Sequence, residues 1–165
     1  MRHIISIVLQ NEAGALARVA NLFSSRGYNI ESLNVAPTND ETVSRLTLVT
    51  TGSNEVIDQI TKQLGKLIDV VRITDMTSLD HIERELALLK LKVDSDDGRE
   101  AVARVVEQFD AKLLDDRSDH LTVELVGGSR DIDRFLERAS RAARVVTVVR
   151  SGAMAISRGA PQVTR

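Results

Sequence analysis

The order of apolar segments along the 165-residue chain repeats once, and this repeat limits the folds that the chain can adopt. In the first half, short apolar stretches typical of strands alternate with two stretches of helical apolar spacing, in the order βαββαβ. The second half shows the same order after a polar segment at 77–80. Two interleaved strand–helix–strand units in one antiparallel sheet form the ferredoxin-like, or split-βαβ, arrangement. The sequence therefore predicts an α+β protein with two tandem ferredoxin-like βαββαβ domains.

The helices of the first half are indicated by apolar spacing and by residues that favour helix ends. Leu16, Val19 and Phe23 share one helical face, and Gly27 follows that face as a stop signal. Ser53 precedes the second helix and has a side chain suited to a helix N-terminus. The predicted strands of this half span residues 4–9, 29–36, 43–50 and 68–73.

The second half carries similar signals. Asp97 and Glu100 have the spacing of a capping box at the start of one helix, and Ser129 can cap the other. The predicted strands span residues 86–93, 112–114, 121–126 and 145–149. We therefore expect a first domain over residues 1–76, a linker over 77–82, a second domain over 83–159 and a flexible tail over 160–165.

Composition excludes several classes of function. The formal net charge is −2 and the sequence has no basic stripe, so a nucleic-acid partner is not expected. The chain has no cysteine, which excludes disulfides and thiolate metal sites. The apolar run at its start is too short for a signal peptide or a membrane-spanning helix. We expect a cytoplasmic protein with no membrane partner.

The polar residues form no recognisable catalytic or metal site. His3, His81 and His120 stand singly, without partners at the spacing of metal ligands. No nucleophile or acid–base set converges, so we expect no catalytic residue and no metal ligand. The acidic residues between 115 and 119 can attract a divalent cation, although a solvated turn is the simpler interpretation. The sequence indicates a binding protein and not an enzyme.

One loop of the first half is suited to bind a free amino acid. Gly14 lies where the first strand leads into the first helix, and the unpaired N–H groups of a helix start attract carboxylates. Asn11 and Asn29 add side-chain amides from the flanking segments. Two simpler interpretations stay open, because Gly14 can merely ease a tight turn and Asn11 can merely cap the helix.

The predicted fold also favours self-association. Each half is small, and a ferredoxin-like unit leaves one sheet face and at least one edge strand uncovered. Pairing of edge strands across a two-fold axis covers such an edge and forms a groove between the subunits. We therefore expect a homodimer.

Several motifs resemble those of a known family. The pattern Asn11-x-x-Gly14-x-Leu16-x-x-Val19 is similar to the ligand signature of ACT regulatory domains. Other motifs resemble the small, regulatory subunits of acetolactate synthase, also called acetohydroxyacid synthase. These motifs lie at residues 26–33, 35–38, 62–67, 83–85 and 150–159. The resemblance covers nearly the whole chain and identifies its first half as an ACT domain.

The resemblance implies a non-catalytic partner of a large catalytic subunit that carries thiamine diphosphate, FAD and magnesium. Such a small subunit activates the large subunit in branched-chain amino-acid biosynthesis and makes it sensitive to feedback, typically by valine bound between the ACT domains of a dimer. No cofactor is then expected in this chain. The alternative is a free-standing ACT-domain regulator that responds to an amino acid.

The resemblance also implies which residues bind valine. The ligand carboxylate is expected at the N–H groups from Gly14 onward, with the amides of Asn11 and Asn29 on its polar groups. Apolar side chains are expected to line the pocket for the branched side chain. The turn at 95–98 in the second half lacks the motif, so no amino-acid site is expected there. The expected ligand-binding residues are Asn11, Gly14, Ala15, Leu16, Asn29 and Ile30.

Overall fold

The structure, a computed structural model, describes residues 1–160 and divides into two compact units. Unit 1 contains Met1–Ile82 together with the chain from Ala153 onward, and unit 2 contains Glu83–Gly152. The tail expected to be flexible over 160–165 lies, apart from residue 160, outside the described residues. Within residues 1–160, no helix is both long and apolar enough to span a membrane.

Unit 1 has the predicted βαββαβ order, with two helices and a four-stranded antiparallel sheet. Its elements are β1 (Arg2–Gln10), α1 (Ala15–Ser25), β2 (Ile30–Pro37), β3 (Val43–Thr51), α2 (Asn54–Leu64) and β4 (Val70–Asp75). The strands lie in the order β2-β3-β1-β4. The two edges of this sheet are therefore β2 and β4.

The helices of unit 1 are held by an aliphatic core. Alternate residues of β1, among them Ile5 and Ile7, are fully buried together with Val19 and Phe23 of α1. Each such side chain contributes about 1.5–3 kcal/mol by leaving water. This packing fixes the position of α1 on the sheet, and with it the loop that connects β1 to α1.

Unit 2 repeats the order, so the tandem ferredoxin-like fold predicted from the sequence is confirmed. Its core includes a T-shaped pair of rings, Phe109 and Phe135, whose centroids lie 5.5 Å apart. The strand order is β6-β7-β5-β8, the same topology as in unit 1. The elements are β5 (His81–Lys92), α3 (Asp96–Gln108), β6 (Lys112–Asp115), β7 (His120–Gly127), α4 (Ser129–Ala142) and β8 (Arg144–Arg150).

Both helix starts of unit 2 differ from the prediction by one or two residues. Ser95 is the N-cap of α3, and its hydroxyl accepts from the Gly98 amide at 3.1 Å, so the expected cap at Asp97 is wrong. Gly128 takes the N-cap position of α4, and the Ser129 hydroxyl instead donates to Glu83 at 2.7 Å. In both cases the N-cap is a residue that lies one or two positions before the predicted one.

One strand of unit 1 lies outside the sequence prediction. In β9 (Met154–Ser157), Ala155 is buried together with the preceding Ala153 and with Ile4 in a second, smaller core of unit 1. The sequence boundaries assign residues 153–159 to the second domain, whereas the structure groups this segment with unit 1. The physical reason is that these small side chains complete the packing of a core formed by unit 1.

Candidate functional site

The loop between β1 and α1 leaves amide groups at the start of α1 without backbone partners within residues 1–160. Gly14 is the N-cap of α1, has φ 88° and ψ −12°, and provides no side-chain cap. Within residues 1–160, no backbone carbonyl accepts from the N–H groups of Leu16 or Ala17. These groups therefore point out of the helix start without a protein partner, as the sequence led us to expect.

Asn11 does not cap this helix, so that simpler interpretation is wrong. Its side-chain amide donates to the Glu41 carbonyl at 2.9 Å, and its backbone amide donates to the Thr42 carbonyl at 2.8 Å. Both contacts tie the β1–α1 loop to the turn between β2 and β3. Asn11 is exposed, and its side-chain carbonyl oxygen accepts no hydrogen bond from residues 1–160.

The two apolar residues that follow Gly14 differ in exposure. Ala15 is 1% exposed and belongs to the core of unit 1. Leu16 is partly buried and packs against the same core. Of the two, Leu16 is the residue whose side chain reaches the surface.

Asn29 and Ile30 lie at the start of β2. The Asn29 carbonyl accepts from the Thr50 hydroxyl at 2.6 Å, which fixes the backbone there, while Asn29 itself is exposed. Ile30 pairs with Thr50 of β3 and packs partly buried against the core. Within residues 1–160, the Asn29 side chain forms no hydrogen bond, and it projects from a fixed backbone position.

The strand register separates these two groups of residues within one chain. Gln10, the residue before Asn11, pairs with Val43, whereas Ile30 pairs with Thr50. Val43 and Thr50 are seven residues apart on β3, which corresponds to about 23 Å at the usual rise of a strand. The β1–α1 loop and the start of β2 therefore lie at opposite ends of the sheet, and one chain does not bring all six expected residues together.

An ion pair beside Gly14 was not singled out by the sequence. The Arg18 guanidinium donates from Nε and Nη2 to the Asp69 carboxylate, at 2.5 and 2.9 Å. The Asp69 side chain is 6% exposed, and the Arg18 side chain is 46% exposed. The hydrogen bond from Arg18 holds the pKa of the Asp69 carboxyl below its usual range, and the same bond raises the pKa of Arg18.

Arg18 also lies against Gly14. A Cβ atom built on Gly14 would lie 2.9 Å from Nη1 of Arg18, closer than real Cβ contacts. The one available sequence signal was Asp69 itself, a single acidic residue inside the apolar run 67–71. A charge in such a run needs a partner, because burying an unpaired carboxylate is strongly unfavourable.

The other polar clusters noted in the sequence have partners within the chain. Asp115 accepts from Nε of Arg117 at 2.9 Å, and this bond lowers the pKa of Asp115. Asp119 contacts Nδ1 of His120 at 2.7 Å. These contacts favour the solvated-turn interpretation of residues 115–119. Within residues 1–160, no group of three or more His, Asp or Glu side chains is arranged to hold a metal ion.

Comparison with known proteins gives one consistent family. Residues 5–72 match the family model described as an AHAS small subunit-like ACT domain, and residues 84–159 match the model described as the small subunit of acetolactate synthase. Over 159 residues, the chain is 48% identical to the acetolactate synthase isozyme 3 small subunit of Escherichia coli, which covers 96% of this chain and 97% of that protein. It is 40% identical over 159 residues to the acetolactate synthase small subunit of Haemophilus influenzae, with 96% and 97% covered.

A solved structure agrees with this result. The crystal structure of the acetolactate synthase small subunit from Thermotoga maritima superposes with a TM-score of 0.87 at 31% sequence identity. The match covers 98% of this chain and 99% of that one. The similarity therefore extends over both units.

Proposed function

The chain belongs to the family of acetolactate synthase small subunits, and we propose that it activates a large catalytic subunit and makes that subunit sensitive to feedback by valine. The observation that supports this proposal is the separation of Asn11 and Gly14 from Asn29 and Ile30 at opposite ends of one sheet. Such a separation is what a ligand site shared between two copies requires.

We assign this shared site to a homodimer formed through β2. This strand is an edge of the sheet, and Val35 on it is 39% exposed. Antiparallel pairing of β2 with the same strand of a second copy would bring the Ile30 end of one strand to the Pro37 end of the other. Pro37 pairs with Ser44, and Ser44 pairs with Leu9, two residues before Asn11.

Two equivalent grooves result from this pairing. Each groove takes the β1–α1 loop from one protomer and the start of β2 from its partner. An amino-acid carboxylate would bind the N–H groups at the start of α1, where Gly14 presents no side chain. From the opposite side of the groove, the Asn29 amide would donate a hydrogen bond to the amino acid or accept one from it. Leu16 and Ile30 would contact the branched apolar side chain of the ligand.

The catalytic chemistry belongs, in this proposal, to the large subunit. Thiamine diphosphate, FAD and magnesium are assigned there, and this chain acts by changing which arrangement of the complex is favoured. A ligand can do so only through a difference in its affinity for the two arrangements. Valine bound between two protomers meets this condition, because a change in the dimer changes the site.

The test is a reconstituted assay of the cognate large subunit. Activity should rise when this chain is added, and valine should then lower it, with leucine and isoleucine assayed beside it. Sedimentation of this chain at micromolar concentration should show a dimer. Activity that is unchanged by this chain, together with amino-acid binding by the chain alone, would favour the free-standing regulator.

A further inference from the structure

We propose that Arg18, held in place by Asp69, is a further ligand-binding residue of the amino-acid site and donates to the carboxylate of the bound amino acid. This proposal rests on the function proposed above and adds a residue to the same site. Three observations support it: the position of the Arg18 guanidinium, its N–H groups that have no acceptor within residues 1–160, and the absence of a side chain at Gly14.

The position of the guanidinium follows from the helix. Arg18 lies one turn after Gly14, and its amide donates to the Gly14 carbonyl at 3.0 Å. Side chains on a helix tilt toward its N-terminus, so the long side chain of Arg18 runs back over the first turn. It reaches Gly14 so closely that Nη1 lies 2.9 Å from the position of a Cβ atom.

Asp69 fixes the orientation of this group. Its buried carboxylate accepts from Nε and Nη2 in the two-bond geometry that is specific to arginine. The backbone of Asp69 is fixed in turn, because its carbonyl accepts from the Gln10 amide at 2.8 Å. The guanidinium is therefore anchored to the end of β1, the same strand end from which the ligand loop starts.

The anchored group keeps donors for a ligand. A guanidinium has five N–H bonds, and Asp69 uses one on Nε and one on Nη2. Within residues 1–160, no side chain or carbonyl accepts from Nη1 of Arg18. The charge also persists at neutral pH, because the hydrogen bond to Asp69 and the nearby Glu12 carboxylate both raise the pKa of Arg18.

This arrangement gives Gly14 a second reason to lack a side chain. The positive φ of 88° already favours glycine, and the guanidinium fills the volume that a side chain would need. A substitution at Gly14 therefore displaces a ligand-binding cation in addition to straining the backbone. Gly14, Arg18 and Asp69 act as one structural group in the site.

Calorimetry on the full chain tests the proposal with valine and with valinamide, in which an uncharged amide replaces the carboxylate. Arg18→Gln should weaken valine binding about tenfold or more, as expected for loss of a charge-assisted hydrogen bond. Binding of valinamide, measured by competition at millimolar concentration, should change less than about threefold, because valinamide lacks the anionic group. Arg134→Gln, which removes an exposed cation of α4 in unit 2, should leave valine binding unchanged.

A second variant distinguishes a loss of valine binding from a loss of folding. Arg18→Gln leaves the buried Asp69 carboxylate unpaired, so Arg18→Gln/Asp69→Asn removes both charges together. This double variant should unfold at the wild-type temperature or near it and should still lose valine affinity about tenfold. Wild-type affinity for valine in the double variant overturns the proposal. So does an equal loss for valine and valinamide, which would make Arg18 purely structural. A wild-type chain that binds no branched-chain amino acid instead contradicts the proposed function itself.

Discussion

Asn11 and Asn29 lie at opposite ends of the four-stranded sheet of unit 1, although both were expected at one ligand. Gln10 pairs with Val43 at one end, and Ile30 pairs with Thr50 at the other. The two groups of residues expected at one ligand are therefore separated within a single protomer. The dimer proposed through β2 joins each group to the complementary group of its partner.

Gly14→Asp should abolish inhibition by valine and leave activation of the large subunit largely intact. The new side chain meets Nη1 of Arg18, and its carboxylate repels that of the ligand. Reconstituted activity across a range of valine concentrations measures the effect. Gly159→Asp is the matched control, since Gly159 also has a positive φ, of 69°, but a Cβ there meets nothing within 4 Å. Wild-type inhibition of the Gly14→Asp enzyme would show that the loop does not bind the ligand.

Asn29→Ala should weaken valine binding about ten- to a hundredfold, the effect of removing one buried hydrogen-bond partner from a ligand. The fold should persist, because the contact that fixes this position uses the Asn29 carbonyl and the Thr50 hydroxyl. Calorimetry gives the affinity, and Asn21→Ala, on the exposed face of α1, serves as the control. Unchanged affinity would reduce Asn29 to a residue that only starts the strand.

The sequence allowed prediction of those features that depend on local spacing. Apolar periodicity located α1 and the strands around it, and Ser53 was correctly expected as a cap, with its hydroxyl accepting from the Val56 amide. β9 was missed because four residues provide too short a pattern, and its burial depends on Ile4 at the other end of the chain.

The candidate site also combines features that local sequence predicts with features that depend on distant residues. The motif around Gly14 indicated the loop, since backbone conformation is a local property. The Arg18–Asp69 pair joins residues 51 positions apart, and no spacing rule relates them. The separation of Asn11 from Asn29 is a matter of strand register, which follows from the packing of the whole sheet.

Asp69→Asn should alter the acid stability of the chain. The pKa of Asp69 is lowered in the folded protein by the hydrogen bond from Arg18, from its usual value of 3.8. Its stabilising contribution is therefore fully present above pH 3.8 and is lost as the pH falls through the lower folded pKa. Thermal unfolding should show the variant less stable than wild type at pH 5–7, with a difference that narrows below about pH 4. A difference for Asp69→Asn that stays constant across this pH range would contradict the role of the pair.

Glu85→Ala should destabilise unit 2 by about 1–3 kcal/mol, because Arg150 loses its buried partner and keeps only its 2.9 Å contact with the exposed Asp133. Arg150 donates to both oxygens of Glu85, at 2.7 and 2.9 Å, and the Glu85 side chain is 4% exposed. This pair raises the pKa of Arg150 and joins β5 to β8. Denaturant unfolding measures the loss, and Glu100→Ala, whose partner Arg104 lies at 3.8 Å on an exposed surface, should change stability by about 0.5 kcal/mol or less. Equal effects from the two variants would show that the pair does not stabilise the unit.

Mixed dimers test the shared site most directly. Chains with Gly14→Asp and chains with Asn29→Ala, given different affinity tags and co-expressed, are purified as dimers that contain one of each. If each site takes its loop from one protomer and its β2 start from the partner, one site combines the intact halves and the other combines both defects. Calorimetry should then find one valine site of wild-type affinity in each mixed dimer, although neither variant alone retains such a site. Mixed dimers without any wild-type site would contradict the account, since they would show that both groups of residues act within one chain.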